Sequence, residues 1–164
     1  MADLRLESQD LETKQYIVVQ IGNEKYGIDI NFIDNIVRMQ KITRVPKVQS
    51  YFKGIINLRG EVLPIYSLRR KFGLEEIPVN DQTKIIVTTS NGVTIAFKVD
   101  EVKEIIDCTV DKLSQFPVIA RTRETDYVDM VANHNGRLIL LLNQDKILAK
   151  QEAEAISDFV SELQ

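Results

Sequence analysis

Catalysis needs side chains that attack, move protons or hold a metal. The chain has one histidine, His134, and one cysteine, Cys108. His134 stands beside Asn135-Gly136, a tight-turn pair, and reads as a solvated residue at a hairpin tip. Cys108, in the run IIDCT at a strand end, reads as a small half-buried hydrophobe. One cysteine allows no internal disulfide, and without a His/Cys cluster there is no expected zinc site. Carboxylates are more plentiful. Glu75-Glu76 and Asp100-Glu101 are adjacent pairs, and neighbours in a strand point to opposite faces, so both pairs read as exposed charge. GNEKYG, from Gly22 to Gly27, imitates phosphate-loop spacing. Ile28 and Asp29 follow where Lys and Ser or Thr are required, which disfavours nucleotide binding. No catalytic residue, metal or cofactor is expected, and the chain does not read as an enzyme.

The charge is uneven. From Arg38 to Lys71 nine basic residues (Arg38, Lys41, Arg44, Lys47, Lys53, Arg59, Arg69, Arg70, Lys71) face one acid, Glu61. That span carries +8 and leaves −11 on the rest of a chain whose net charge is −3. A positive face attracts an acidic partner in a salt-sensitive way. Small barrels also bind nucleic acid through a basic groove with stacked aromatics. The span and the residue after it hold Tyr51, Phe52, Tyr66 and Phe72, so a nucleic-acid binder is the alternative reading.

The elements that position these residues are short. With 164 residues, one domain or two very small ones sharing a core is expected. No apolar run approaches the ~20 residues of a membrane helix. The polar, acidic start MADLRLESQDLETK has no signal-peptide core, so a cytoplasmic location without membrane insertion is expected. Residues 1–13 read as a loose tail. YIVVQI and YGIDI are strands around the turn GNEK. NFIDNIVRM is a short helix turning into a strand, ITRVP is extended, and SYFKGI is one helical turn. GIINL and EVLPIYSL flank Arg59-Gly60 at a hairpin turn. SLRRKFG is a short helix with Ser67 as cap and Gly73 as stop, and LEEIPVND is a loop. KIIVTT and VTIAFKV form a hairpin around Asn91-Gly92; VKEIID extends it or follows as a strand. DKLSQFPVIARTRETD is a long connection. YVDMVANHNGRLILLLN is a hairpin around Asn135-Gly136. KILAKQEAEAISDFVSELQ is a helix with Ile156, Phe159, Val160 and Leu163 on one face. Nine or ten short strands with frequent turns predict small barrels or a sandwich. Without βαβ alternation a parallel sheet is not expected. The pair of Asn-Gly hairpins hints at two similar halves.

The run KGIINLRGEVLPIYSLRRKFGL resembles the signature of the CheW family of chemotaxis coupling proteins. YIVVQIGNEKYGIDI with IDNIVR and ITRVP resembles the family's N-terminal portion, IAFKVDEVKEII its central strand pair, and GRLILLLNQDKIL its C-terminal strand. The resemblance covers Lys14 to Ala149. It implies a mainly β fold of two small five-stranded Src-homology-3-like barrels on a shared hydrophobic core, over 14–150, between the tail and a C-terminal helix over 151–164. It implies a non-enzymatic adaptor joining the cytoplasmic tip of methyl-accepting chemoreceptors to the regulatory domain of the histidine kinase CheA in signalling arrays. Such an adaptor is monomeric when free. The length fits a free-standing coupling protein better than relatives that add receiver or kinase domains.

By motif match, the receptor-facing residues are Ile33, Asn35, Ile36, Arg59, Val99 and Val102. The kinase-facing surface lies near Val45, Pro46, Gly54 and Ile56. The family often has an acid where this chain has Asn35, so an ion pair is not expected at that position. Arg59 has two readings: a guanidinium held out for a partner, or a lock within the chain against Glu61 or an acid of the other barrel. Gly54 has two as well, close approach by a partner or a backbone position needing positive φ.

Overall fold

The computed structural model describes residues 12–46, 52–117, 127–147 and 158. Four hairpins with two-residue turns organise the chain. β1 (Thr13–Ile21) and β2 (Glu24–Asp29) turn at Gly22-Asn23, and a 3-10 turn at Ile30–Phe32 leads into β3 (Ile33–Arg38). The Asp29 carboxylate starts that turn by accepting from the Asn31 amide at 2.9 Å. β4 (Phe52–Leu58) and β5 (Glu61–Ser67) turn at Arg59-Gly60 and run into α1 (Leu68–Lys71). Ser67 caps α1 by accepting from the Arg70 amide, the usual work of a serine at that place. β6 (Lys84–Ser90) and β7 (Val93–Val99) turn at Asn91-Gly92, and β8 (Glu101–Thr109) follows. A second 3-10 turn, Val110–Lys112, leads to β9 (Leu113–Gln115). β10 (Val128–His134) and β11 (Arg137–Leu142) turn at Asn135-Gly136 and run into α2 (Gln144–Ile147).

The strands make two sheets, in the orders β8-β1-β2-β11-β10-β9 and β3-β6-β7-β5-β4. We call them barrel A and barrel B; both are of the small Src-homology-3-like kind. Each contains one parallel pairing, β2 with β11 and β5 with β7. Neither sheet is parallel as a whole, as expected; the two joins need no βαβ unit because each links the second strands of two hairpins. Two expectations are corrected. SYFKGI is no helical turn from Phe52 onward: Phe52, Gly54 and Ile56 are buried in alternation, the period of a strand. The connection after β8 contains β9, whose three residues are too few to show a pattern. The isolated bridge between Thr43 and Ile55 holds ITRVP extended. Of the expected C-terminal helix over 151–164, only Asp158 is described, and it is helical.

The hint of two similar halves becomes concrete in the register. β3 leaves the β1–β2 hairpin and pairs with β6 of barrel B, whereas β8 leaves the β6–β7 hairpin and pairs with β1 of barrel A. Both crossing strands carry a bulge at the same place, Ile33/Asn35 in one and Val102/Glu104 in the other. The parallel joins match as well, Ile65 beside Ala96 and Leu141 beside Gly27.

Three apolar clusters follow from this exchange. Tyr16, Val18, Ile106, Cys108, Ala132, Ile139 and Leu141 fill barrel A. Ile56, Leu63, Ile65, Ile85, Val87 and Ala96 fill barrel B. Between them lies a larger shared core with Ile17, Val19 and Ile28 from A and Tyr66, Ile86, Phe97 and Val99 from B. Successive residues of β1, β5, β6 and β7 point alternately into a barrel and into the shared core. That is why their sequences are apolar without alternation.

Candidate partner-binding site

The β4–β5 hairpin presents Arg59 in the left-handed region, φ +54, with Gly60 at φ +87. The turn is held by Asn57, whose side-chain oxygen accepts from the Gly60 amide at 2.9 Å. A two-residue turn of this hand favours Asn-Gly, because asparagine tolerates left-handed backbone and an unbranched long chain does so less well. Among the described residues, both other turns with a non-glycine at positive φ obey that preference, at Asn91 and Asn135. Arg59 is exposed and makes no hydrogen bond or ion pair with any described residue. The internal lock with Glu61 or an acid of barrel A is therefore absent among the described residues.

The other receptor-facing candidates gather at the edge of the shared core. Ile33 and Ile36 on β3 and Val102 on β8 are half-buried against it, and Val99 at the end of β7 lies inside it, 1% exposed. Ile33 and Ile36 share one strand and Val102 lies on another, all three against the core that contains Val99. Asn35 is half-buried, and its side-chain oxygen accepts from the Ile36 amide at 2.9 Å. The carboxylate that Asn35 lacks stands one residue earlier. Asp34 is exposed on the bulge of β3 and accepts a hydrogen bond from the Thr89 hydroxyl of β6. Sequence reasoning missed Asp34 because a bulge, which exposes the extra residue, leaves no mark on composition.

The kinase-facing candidates divide by depth. Pro46 is exposed and Val45 is half-buried against the shared core. Ile56 is buried inside barrel B. Gly54 is explained within the chain. Its φ is +142, and a Cβ there would lie 2.1 Å from the Thr43 carbonyl oxygen. Thr43 and Ile55 exchange two backbone hydrogen bonds of 2.8 and 2.9 Å, so the extended segment before Pro46 is pinned across β4 at this glycine.

Two polar assemblies brace these surfaces, and they correct the reading of Glu76 and Asp100 as exposed charge, while Glu75 is exposed as expected. Glu76 accepts from Lys98 at 2.7 Å and from the Ser67 hydroxyl, with Lys53 at 3.6 Å. Burial alone would raise its pKa; the hydrogen bonds from Lys98 and Ser67 and the charges of Lys98 and Lys53 outweigh burial and hold it below the usual value. Asp100 takes Arg69 Nε on both oxygens, at 2.9 and 3.0 Å, and the Gly22 amide at 2.8 Å. The side chains of Asp100 and Arg69 are 16% and 18% exposed. Two of the nine basic residues of the Arg38–Lys71 span are thus neutralised by acids outside it. The aromatics that would stack bases are also committed. Phe52 and Tyr66 are buried in the shared core, and Phe72 is stacked on Tyr127 at 4.4 Å and packed on Tyr26 at 4.8 Å. Tyr51 and Lys47 lie outside the described residues.

His134 is half-buried at its hairpin tip. It lines an open depression of about 540 Å³ with Thr13, Asp107, Cys108, Thr109, Lys112, Asn133, Asn135 and Gly136. Cys108 is buried rather than half-buried, and burial, with Asp111 nearby, pushes its thiol pKa up.

A double barrel with this hairpin has relatives. The family model described as a CheW-like domain matches residues 15–152. The chain belongs to the CheW family. Chemotaxis protein CheW of Helicobacter pylori is 34% identical over 140 residues, 85% of this chain and 84% of that protein. Its namesake in Klebsiella aerogenes is 28% identical over 145 residues, 88% and 87% of the two chains. Among solved structures, the scaffolding protein TtCheW from Thermoanaerobacter tengcongensis superposes with a TM-score of 0.78 at 25% identity, covering 84% of this chain and 94% of that one. Membership makes the chain a chemotaxis scaffold that couples receptors to CheA, and nothing in these relatives supports nucleic-acid binding.

Proposed function

We propose that the chain binds the cytoplasmic tip of methyl-accepting chemoreceptors on one side and the regulatory domain of CheA on another, without catalysing a reaction. The free chain is a monomer and is recruited to receptor arrays at the membrane. No helix among the described residues is long and apolar enough to cross a membrane itself. The receptor tip is a helical bundle, and the group of Ile33, Ile36 and Val102 at the edge of the shared core suits the apolar face of a helix. Asp34, Asn35 and Arg59 add polar contacts at its margin, with Arg59 offering five donors to a carboxylate or to backbone carbonyls. The kinase side centres on the segment around Val45 and Pro46, which Gly54 and Ile56 hold from below.

The observation that carries this reading is Arg59: a charged residue in a backbone conformation it fits poorly, with no partner among the described residues. Folding does not require it there, so contact with another protein is its purpose. Coupling further requires that the contacts differ between receptor states, since equal affinity shifts no equilibrium. The test is co-sedimentation with receptor-containing membranes and CheA, comparing the native chain with Arg59→Ala, alongside thermal melts. A variant that melts like the native chain, keeps CheA and loses receptor recruitment supports the reading. A variant that melts much earlier makes Arg59 structural. A native chain that recruits neither partner removes the reading altogether.

A further inference from the structure

Each short helix crosses to the other barrel at the equivalent place. From α1, Arg69 reaches Asp100, which holds the amide of Gly22 in the β1–β2 turn. From α2, Asp145 stands at the position equivalent to Arg69. It accepts from Ser90 and, at 3.2 Å, from Asn91 Nδ2 in the β6–β7 turn. Beside it Gln144 Nε2 donates to the Thr88 hydroxyl oxygen at 2.8 Å.

The two crossings are built differently. The first is largely buried and has several bonds: both Asp100 oxygens take Arg69, and Arg69 Nη1 also donates to the Glu75 carbonyl at 2.8 Å. It is backed by the Tyr26–Phe72–Tyr127 stack. The second is exposed at Asp145 and Asn91, with one carboxylate oxygen taking both bonds. It also leaves Gln144 Oε1 buried with no hydrogen-bond partner among the described residues, which weakens it. α2 is tied independently to barrel A through Asn143 Nδ2 to Asp129 at 2.5 Å and through Lys146 to Asp129 at 3.5 Å, while its Ile147 is buried in the shared core.

We infer that the Asp145 crossing is a releasable latch and the Arg69–Asp100–Gly22 crossing the hinge about which the two barrels turn. On release α2 stays with barrel A and the β6–β7 turn is freed. The shared core limits the motion to a small rotation. The latch is wired to the candidate receptor strand: Ser90, which it holds, follows Thr89, which holds Asp34 on the bulge of β3. A helix seated on β3 that moves Asp34 therefore disturbs Thr89, Ser90 and the latch in turn. The purpose assigned to the latch rests on the adaptor reading; its existence does not.

Hydrogen–deuterium exchange of the whole chain, native against Asp145→Ala and Asp145→Asn, tests it. For Asp145→Ala, exchange on the order of tenfold faster is expected in the β6–β7 turn and α2, with a smaller rise for Asp145→Asn and no change inside β5 and β7. Faster exchange throughout, or none anywhere, overturns the latch. In a second arm, receptor-containing membranes, CheA and each variant are assembled and kinase activity is followed on adding attractant. Retained recruitment of both partners with a reduced kinase response is expected. An unchanged response despite local opening overturns the signalling role. Failure of the native chain to recruit either partner tells against the adaptor reading alone, because the exchange arm still decides the latch.

Discussion

The β4–β5 and β10–β11 hairpins are one structure written twice. Each begins with a bulge, between Phe52 and Gly54 in the first and between Val128 and Met130 in the second. Each ends in a turn held by the side-chain oxygen of an asparagine, Asn57 to Gly60 at 2.9 Å and Asn133 to Gly136 at 3.1 Å. Each is followed by a four-residue helix. They differ where the surroundings differ. The turn of the second has Asn135 where the first has Arg59. The bulge of the second carries Met130 where the first tolerates only Gly54. The pair shows what the fold demands: asparagine satisfies the turn, so nothing in the turn itself calls for arginine. Glycine answers a need inside the fold, since Thr43 crosses the first bulge.

The sharpest way to break the comparison is at the bulges. Gly54→Ala is expected to cost about 3 kcal/mol or more, because the Cβ meets backbone and the φ suits glycine. Met130→Ala should cost about 1–2 kcal/mol, the loss of a half-buried side chain. Chemical denaturation measures both, and similar costs would mean that the bulges are not separated by Thr43. Next in size is the brace at the bulge of the first hairpin, Glu76 on Lys53. Glu76 has a lowered folded pKa, so its contribution is complete above its ordinary value of 4.5 and is lost as pH falls through the lower folded value. Glu76→Gln should remove about 1–3 kcal/mol at pH 7 and flatten the acid limb of stability, read from melts between pH 7 and pH 3. Asn57→Ala and Asn133→Ala should each cost about 1 kcal/mol, with the larger loss at Asn57, where Arg59 gives the turn less help of its own. Smallest is the exchange of the turn residues. Arg59→Asn should raise stability by about 0.5–1 kcal/mol while receptor recruitment falls, and Asn135→Arg should lower it by a similar amount with recruitment unchanged. Equal stability in all three chains would remove the argument that Arg59 is held against its backbone preference.

What was legible in the sequence was what local chemistry encodes. Asn91-Gly92, Asn135-Gly136 and Arg59-Gly60 announce their turns, and Ser67 with Gly73 announces α1. The motif around Arg59 was specific enough to carry the family. Depth was not legible. Val99 and Ile56 match positions on binding faces, yet both strand faces are covered here, so an apolar residue in the motif does not reveal which core it enters. Partners distant in sequence were hidden as well. Nothing local in Glu76 points to Lys98, or in Asp145 to Ser90, and the two parallel joins depend on a register fixed only when both barrels close. The repeat was faint for the same reason: Ile33 and Val102, or Arg59 and Asn135, share a place and not a chemistry.

The exchange of β3 and β8 also dictates an order of events during synthesis. β3 leaves the ribosome well before its neighbour β6, and barrel B cannot close until β7, which joins β6 to β5, has emerged as far as Val99. Barrel A waits longer, since β1 and β2 need both β8 and β11, and the parallel join with β11 comes last. The first hairpin made is therefore among the last to be enclosed. Until then its apolar faces, with Ile17, Val19 and Ile28 on one side and Tyr16 and Val18 on the other, are exposed on a nascent chain, the moment at which a chaperone has most to shield.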